Sequence, residues 1–170
     1  MNSAPDDNQI LYYSRDRETF GFLSHFHPSP IMIDAEAWPT VEHFYQAQKS
    51  PSVAYRNAIR AAVHPGHVKR LSAPPVGKAR LVEGSWFAKH GKVPRADWQE
   101  VKLDIMRRGD QAKFAQNADL AMLLLATGNA ELIEDAPNDA FWGIGKDGFG
   151  ANWAGRILMD VRDSLRRVAI

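Results

Sequence analysis

The densest chemistry in the chain lies in ten consecutive residues, Thr40-Val41-Glu42-His43-Phe44-Tyr45-Gln46-Ala47-Gln48-Lys49. On a helix, residues three and four apart share a face, so Glu42, Tyr45 or Gln46, and Lys49 bring an acid, an amide and an ammonium toward one ligand. The same spacing describes a solvated helix with weak charge pairing. A second group, Asp139-Ala140-Phe141-Trp142-Gly143, sets a carboxylate and a large aromatic plane at the mouth of a glycine-rich stretch. Trp142 there can stack on a base or anchor a core. Gly143-Ile144-Gly145-Lys146-Asp147-Gly148 matches G-x-G-x-x-G, but a dinucleotide-binding unit also needs a buried strand before it and an acidic residue about 20 residues on. Here Pro137-Asn138-Asp139-Ala140 is turn-like and the chain is almost finished. What remains is a plain turn, or a set of glycine amides that could hold an anion with help from Lys146.

Six histidines raise the question of a metal, above all in His25-x-His27 and His64-x-x-His67. Neither pair is joined to carboxylates at the spacing of a helical metal site, and turn prolines follow or interrupt both, so no metal is expected. The absence of cysteine removes disulfides, thiol nucleophiles and cysteine-based metal centres. No Gly-x-Ser-x-Gly elbow singles out a nucleophilic serine. Lys+Arg 21 against Asp+Glu 20 leave a formal charge of +1, so any polyanion must be gripped locally. A helical nucleic-acid-binding domain would need a basic stripe, and Arg15-Asp16-Arg17, Arg107-Arg108 and Arg166-Arg167 are scattered.

These residues need a scaffold. With 170 residues, 45% hydrophobic and 24% charged, the chain is long enough for one core without staples. Residues 1–9 read as a mobile tail and 10–170 as a single domain. From Ile10 to Trp38 short strands are expected, with Asp34-Ala35-Glu36 as a hairpin turn. Thr40 caps a helix over Val41 to Lys49, followed by helices over Ala54 to Ala62 and from Pro65 to before Ala73. A long helix from Ala96 to Gln116 carries a potential break at Gly109, and another runs from Ala118 to Thr127. A strand at Glu131 to Glu134 and a closing helix over Ala154 to Arg167, with Ile157, Leu158, Val161 and Leu165 inward, complete an α+β, mostly helical domain. The start MNSAPDDNQI has no basic segment leading an apolar one, and the longest strongly apolar run is Leu120 to Ala126. A soluble, cytoplasmic protein with no membrane association is therefore expected.

The strings Phe20-Gly21-Phe22-Leu23-Ser24-His25-Phe26, Trp38-Pro39 with TVEH-x-YQA-x-K from Thr40 to Lys49, Lys113-Phe114-Ala115-Gln116-Asn117, Leu124-Leu125-Ala126-Thr127-Gly128 and Asp139-Ala140-Phe141-Trp142-Gly143-Ile144-Gly145 together resemble the NADAR superfamily. Within it they resemble the YbiA-like riboflavin-intermediate N-glycosidases, in order, from about Tyr13 to Arg162. The resemblance implies a YbiA-like (NADAR) fold and hydrolysis of an N-glycosidic bond. The implied substrate is a phosphorylated ribosylamino-pyrimidine from early riboflavin synthesis, or an ADP-ribose conjugate on nucleic acid or protein. It also implies Glu42 as catalytic carboxylate and Lys49, Asp139, Trp142, Asn152 and Ser24 as pocket residues. Where the family commonly reads Ser-Asn-Phe, this chain has Ser24-His25-Phe26, which puts an imidazole in place of an amide contact.

The chemistry agrees with that reading. Breaking a ribosyl C–N bond builds positive charge on the sugar, which calls for a carboxylate to stabilise it and orient water, and for help to the departing nitrogen. Glu42 suits the first task and Asp139 the second. Tyr45, Trp142, Lys49 and Gly143 in its loop suit stacking and phosphate binding, and no cofactor is required. The competing expectation is a non-catalytic ADP-ribose or nucleotide-binding module, which would keep the stacking and phosphate residues.

Overall fold

The computed structural model describes residues 8–13, 19–72 and 95–168. Residues 1–7 of the expected tail, Arg15-Asp16-Arg17 and Ala73-Pro74-Pro75 lie outside these. Six α-helices and four short strands stand among the described residues, and the chain gathers into two compact units, residues 28–109 and residues 1–27 with 110–170.

In the first of these, β2 (Ile31–Ile33) and β3 (Glu36–Trp38) form an antiparallel hairpin with Ile31 opposite Trp38 and Ile33 opposite Glu36. The expected turn is two residues long, Asp34 (φ 54°) and Ala35 (φ 61°), the left-handed pair that matches strand twist. Glu36 belongs to the strand. Thr40 caps α1 (Val41–Ala47), its Oγ1 accepting from the His43 amide at 3.2 Å. Ser52 caps α2 (Val53–Arg60), and Pro65 opens α3 (Pro65–Leu71). Both helices pack on α1, as does β3, so all seven α1 side chains are buried, Glu42 and Gln46 included. The solvated-helix alternative therefore does not describe α1.

The long helix α4 (Trp98–Gln116) is unbroken at Gly109. A Cβ there would stand 2.8 Å from Val41 Cγ1 and 3.3 Å from Phe44 Cδ1. Close approach to α1, rather than helix breaking, explains this glycine.

In the other unit β1 (Gln9–Tyr12) pairs parallel with β4 (Glu131–Glu134), Gln9 opposite Glu131 and Tyr12 opposite Glu134. Gln9 is thus an ordered strand residue, which corrects the tail boundary, because its backbone finds a partner far along the chain. A short 3₁₀ turn, Gly21–Leu23, precedes Ser24. Helix α5 (Ala118–Ala126) ends ahead of Gly128, where φ is 58°. Helix α6 (Trp153–Val168) packs on β4 and α5 with Ile157, Leu158 and Val161 buried. Leu165 is only half-buried. Gly155 lets α6 approach so closely that a Cβ would lie 1.9 Å from the Leu132 carbonyl oxygen. Among the described residues no helix is long and apolar enough to cross a membrane.

Candidate active site

In the unit of residues 28–109 the site residues sit on α1 and just past its end. Glu42 is 5% exposed, and its Oε1 accepts from Gln46 Nε2 at 2.9 Å one turn on. Gln46 Oε1 is buried without a partner among the described residues, so the amide is committed to holding the carboxylate. The backbone under it is fixed as well, since the Tyr55 hydroxyl donates to the Gln46 carbonyl at 2.8 Å. Burial, and then the Glu42 charge, push the Tyr55 hydroxyl pKa up, so this donor keeps its proton.

His43, between these residues in sequence, is fully committed. The Ala62 carbonyl lies 2.9 Å from Nε2, which must therefore carry the proton. Nδ1 then accepts from the Thr40 hydroxyl at 2.8 Å. Burial holds its pKa below the usual histidine value, and a neutral ring cross-bracing the helix start follows.

Lys49 ends the motif. Its Nζ lies 5.7 Å from the Tyr45 ring centre and 5.6 Å from that of Trp98, and these two rings are 5.0 Å apart. Burial lowers its pKa to about 8, against the pull of Glu42 and with a smaller push from Lys69. An ammonium so placed, stabilised by ring faces, attracts an anionic ligand group below about pH 8 and offers a neutral amine above it. Past α1, a cleft of about 350 Å³ is lined by Gln48, Ser50, Pro51, Arg56, Arg95 and Asp97. Both guanidiniums already face carboxylates, Arg56 that of Glu36 and Arg95 that of Asp97 at 2.6 Å.

In the other unit the loop after β4 carries Asp139, Trp142, Gly143 and Asn152. Asp139 Oδ1 accepts from the Phe141 amide at 3.0 Å and the Trp142 amide at 2.9 Å. One oxygen therefore shapes the turn, and Oδ2 takes no hydrogen bond among the described residues. Trp142 is half-buried, its ring edge-on to Phe141 at 5.0 Å. Gly143 has a packing reason: a Cβ would meet the Glu134 carbonyl at 2.4 Å and the Ala136 Cβ at 2.7 Å. Its amide donates to the Asp139 carbonyl, and those of Ile144, Gly150 and Asn152 donate to Glu134, Ile144 and Gly143. The amides of Gly143 and Ile144 are thus turned inward to close the loop and are not offered to an anion. Asn152, at φ 51°, extends the strand pattern with its side chain. Oδ1 accepts from the Glu134 amide at 3.0 Å, and Nδ2 donates to the Leu132 carbonyl at 2.9 Å. Both ends of its amide are spent on β4.

Ser24 and His25 stand beside a buried cluster. The Lys113 ammonium, 0% exposed, donates to the Phe22 and Ser24 carbonyls at 2.6 and 2.9 Å. Burial brings its pKa down to about 8 despite Asp110. Ser24 Oγ accepts from the Phe26 amide at 3.2 Å. Asp110, 0% exposed, accepts from His25 Nε2 at 3.0 Å. Sequence reasoning missed Trp98 and Asp110 as partners of site residues and noted Lys113 only within a motif. Asp110 carried one signal, an acid one helical turn after Met106 and one before Phe114 in a long helix. Among the described residues no group of three or more His, Asp or Glu is placed to hold a metal ion.

The NADAR domain family model matches residues 11–166. The N-glycosidase YbiA of Escherichia coli strain K12 is 40% identical over 159 residues, 94% of this chain and 89% of that one. A riboflavin biosynthesis protein of Vibrio vulnificus is 38% identical over 161 residues, 95% of this chain and 40% of that longer protein. The NMR structure of the E. coli protein YbiA superposes with a TM-score of 0.79 at 36% identity, covering 98% of this chain and 89% of that one. By the family match and by these relatives alike, the chain belongs to the NADAR domain family.

Proposed function

We propose that this chain, an N-glycosidase like the relatives it matches over nearly its whole length, cleaves the bond between ribose C1′ and nitrogen in phosphorylated ribosylamino-pyrimidine intermediates of riboflavin biosynthesis. An ADP-ribose conjugate, free or on nucleic acid or protein, is the second substrate class within the same chemistry. The reading takes residues 10–170 as one working domain and the cytoplasm, where such metabolites arise, as its place of work.

The observation that carries the reading is Glu42. A carboxylate kept almost wholly from water, with an amide dedicated to one oxygen, is costly unless its charge is used. The cost is repaid when positive charge develops on the ribose ring, since a preorganised anion in a dry site stabilises the transition state more than the ground state. Its other oxygen can accept a proton from the attacking water. Lys49 supplies the cation for a phosphate, Tyr45 and Trp98 hold that cation, and Trp142 offers a face to the base. Asp139 positions Trp142 and keeps Oδ2 for the substrate. Ser24 and Asn152 act by holding backbone, on the geometry above.

The test incubates the purified chain with a ribosylamino-pyrimidine phosphate, an ADP-ribosylated oligonucleotide and an ADP-ribosylated peptide, and measures released base and sugar. Release from the first, lost in Glu42→Gln, supports the reading. Tight binding of all three without release would identify the non-catalytic binding module instead.

A further inference from the structure

Among the described residues two buried histidines stand on side-chain partners, and they differ in one respect. His43 spends both ring nitrogens, one on Thr40 and one on the Ala62 carbonyl, which is what a purely structural imidazole does. His25 spends only Nε2, on Asp110. Its Nδ1 has no partner among the described residues, and the ring retains 8% exposure. The Asp110 carboxylate behind it is fully buried, with Oδ1 unpartnered among the described residues. A buried acid on one nitrogen keeps a proton on Nε2, so the open Nδ1 carries a proton to give when the ring is the imidazolium.

The backbone under His25 is clamped. Lys113, from the same face of α4 as Asp110, ties down the carbonyls of Phe22 and Ser24, so the ring is held by its main chain and by its Nε2 bond together. We propose that Asp110 and His25 form a proton-transfer dyad in which the Nδ1–H of His25 protonates the nitrogen leaving ribose C1′, with Asp110 and Lys113 as positioning residues. The proposal rests on the N-glycosidase reading and gives His25 the leaving-group task for which the sequence nominates Asp139.

As the C1′–N bond breaks, its electron pair goes to the departing nitrogen, which takes the proton from Nδ1. Water adds its oxygen to C1′ and gives up a proton, and solvent reprotonates the imidazole. The charges facing the ring are Asp110 and Lys113 from α4 and Glu134 from β4, with the buried Tyr12 hydroxyl of β1 next to the same two carboxylates. Burial alone would lower the His25 pKa. The charge and hydrogen bond of Asp110, with Glu134 adding, outweigh burial and the opposing Lys113, and the result is raised above the ordinary value. The acid form thus persists toward neutral pH.

The experiment compares the parent with His25→Asn on two substrates, the ribosylamino-pyrimidine phosphate and a 4-nitrophenyl riboside phosphate whose leaving group needs no proton. General-acid catalysis typically contributes about 10²–10⁴-fold. His25→Asn is expected to lose about 100-fold or more in kcat on the first substrate and less than about 10-fold on the second. The alkaline fall of kcat in the parent should vanish in His25→Asn, and Asp110→Asn should move it to lower pH. If His25→Asn lacks the parent's melting temperature, the Asp110→Asn shift decides, with the His25 titration followed by ¹⁵N NMR. Equal losses on both substrates, or an alkaline limb that stays in His25→Asn and so belongs to a lysine, Lys49 or Lys113, overturn the dyad alone. A parent that releases no base overturns the proposed activity and the dyad with it.

Discussion

Glu42→Gln separates charge from shape at the centre of the proposed mechanism. The substituted amide can present its carbonyl to Gln46 Nε2 where Oε1 accepted it at 2.9 Å, so the one hydrogen bond the structure gives this side chain is retained. Only the charge is lost. Two unit charges about 4 Å apart at an effective dielectric of about 20 attract by about 4 kcal/mol, and an oxocarbenium-like sugar carries only part of a charge. About 3 kcal/mol of transition-state stabilisation is therefore at stake, or roughly 150-fold in kcat. Stability should not fall, because removing a carboxylate that is 5% exposed also removes its desolvation cost. The variant has a second consequence. Glu42 supports the Lys49 ammonium against burial, so the Lys49 pKa should drop further and KM for a phosphorylated substrate should rise with it. The assay is base release under saturating substrate, with melting curves of both proteins. A kcat within threefold of the parent in a folded Glu42→Gln protein would refute the reasoning.

Lys49 carries its charge below a pKa of about 8, so KM for a phosphorylated substrate should rise as pH increases through 8, and Lys49→Met should flatten that profile. Trp142→Ala should weaken substrate binding by about 10- to 100-fold, since stacking on a base is worth about 1–3 kcal/mol; unchanged binding in the folded variant would make Trp142 a packing residue. Asn152→Ala loses both bonds to β4 and keeps a positive φ, so denaturant titration should show a loss of about 2–3 kcal/mol. Ala35→Gly relieves a φ of 61° and should gain about 0.5–1 kcal/mol in the same measurement.

Local signals carried much of the fold. Thr40 caps its helix, Pro65 opens another, and the two-residue turn falls at Asp34-Ala35. These features depend on a few adjacent residues, and adjacency is what a sequence displays. Gly109 shows the limit. Propensity marks a glycine inside a helix as a weak point, yet here its lack of a side chain admits Val41 and Phe44 from a helix more than sixty residues earlier. The parallel pairing of Gln9–Tyr12 with Glu131–Glu134 was unreadable for the same reason, since neither strand contains its partner's address.

The site divides along the same line. Spacing put Glu42, Gln46 and Lys49 on one side of α1, and the Gln46 bond to Glu42 follows from that one-turn interval. Spacing could not say whether that side met water. It was α2, α3 and β3 that buried it, and burial converts a surface charge pattern into a carboxylate with a purpose and a lysine with a pKa of about 8. The glycine loop moved the opposite way. Its pattern advertised free amides, but a free amide is a property of the folded loop, and the first two of the motif, those of Gly143 and Ile144, are accepted internally by Asp139 and Glu134. His25 lies between the two cases. Its identity showed an imidazole where an amide was expected, but only the approach of Asp110, 85 residues away, leaves that imidazole one nitrogen fixed and one open. Residue types therefore nominate the chemistry, while long-range burial decides which nominee is charged, which is merely structural, and which can part with a proton.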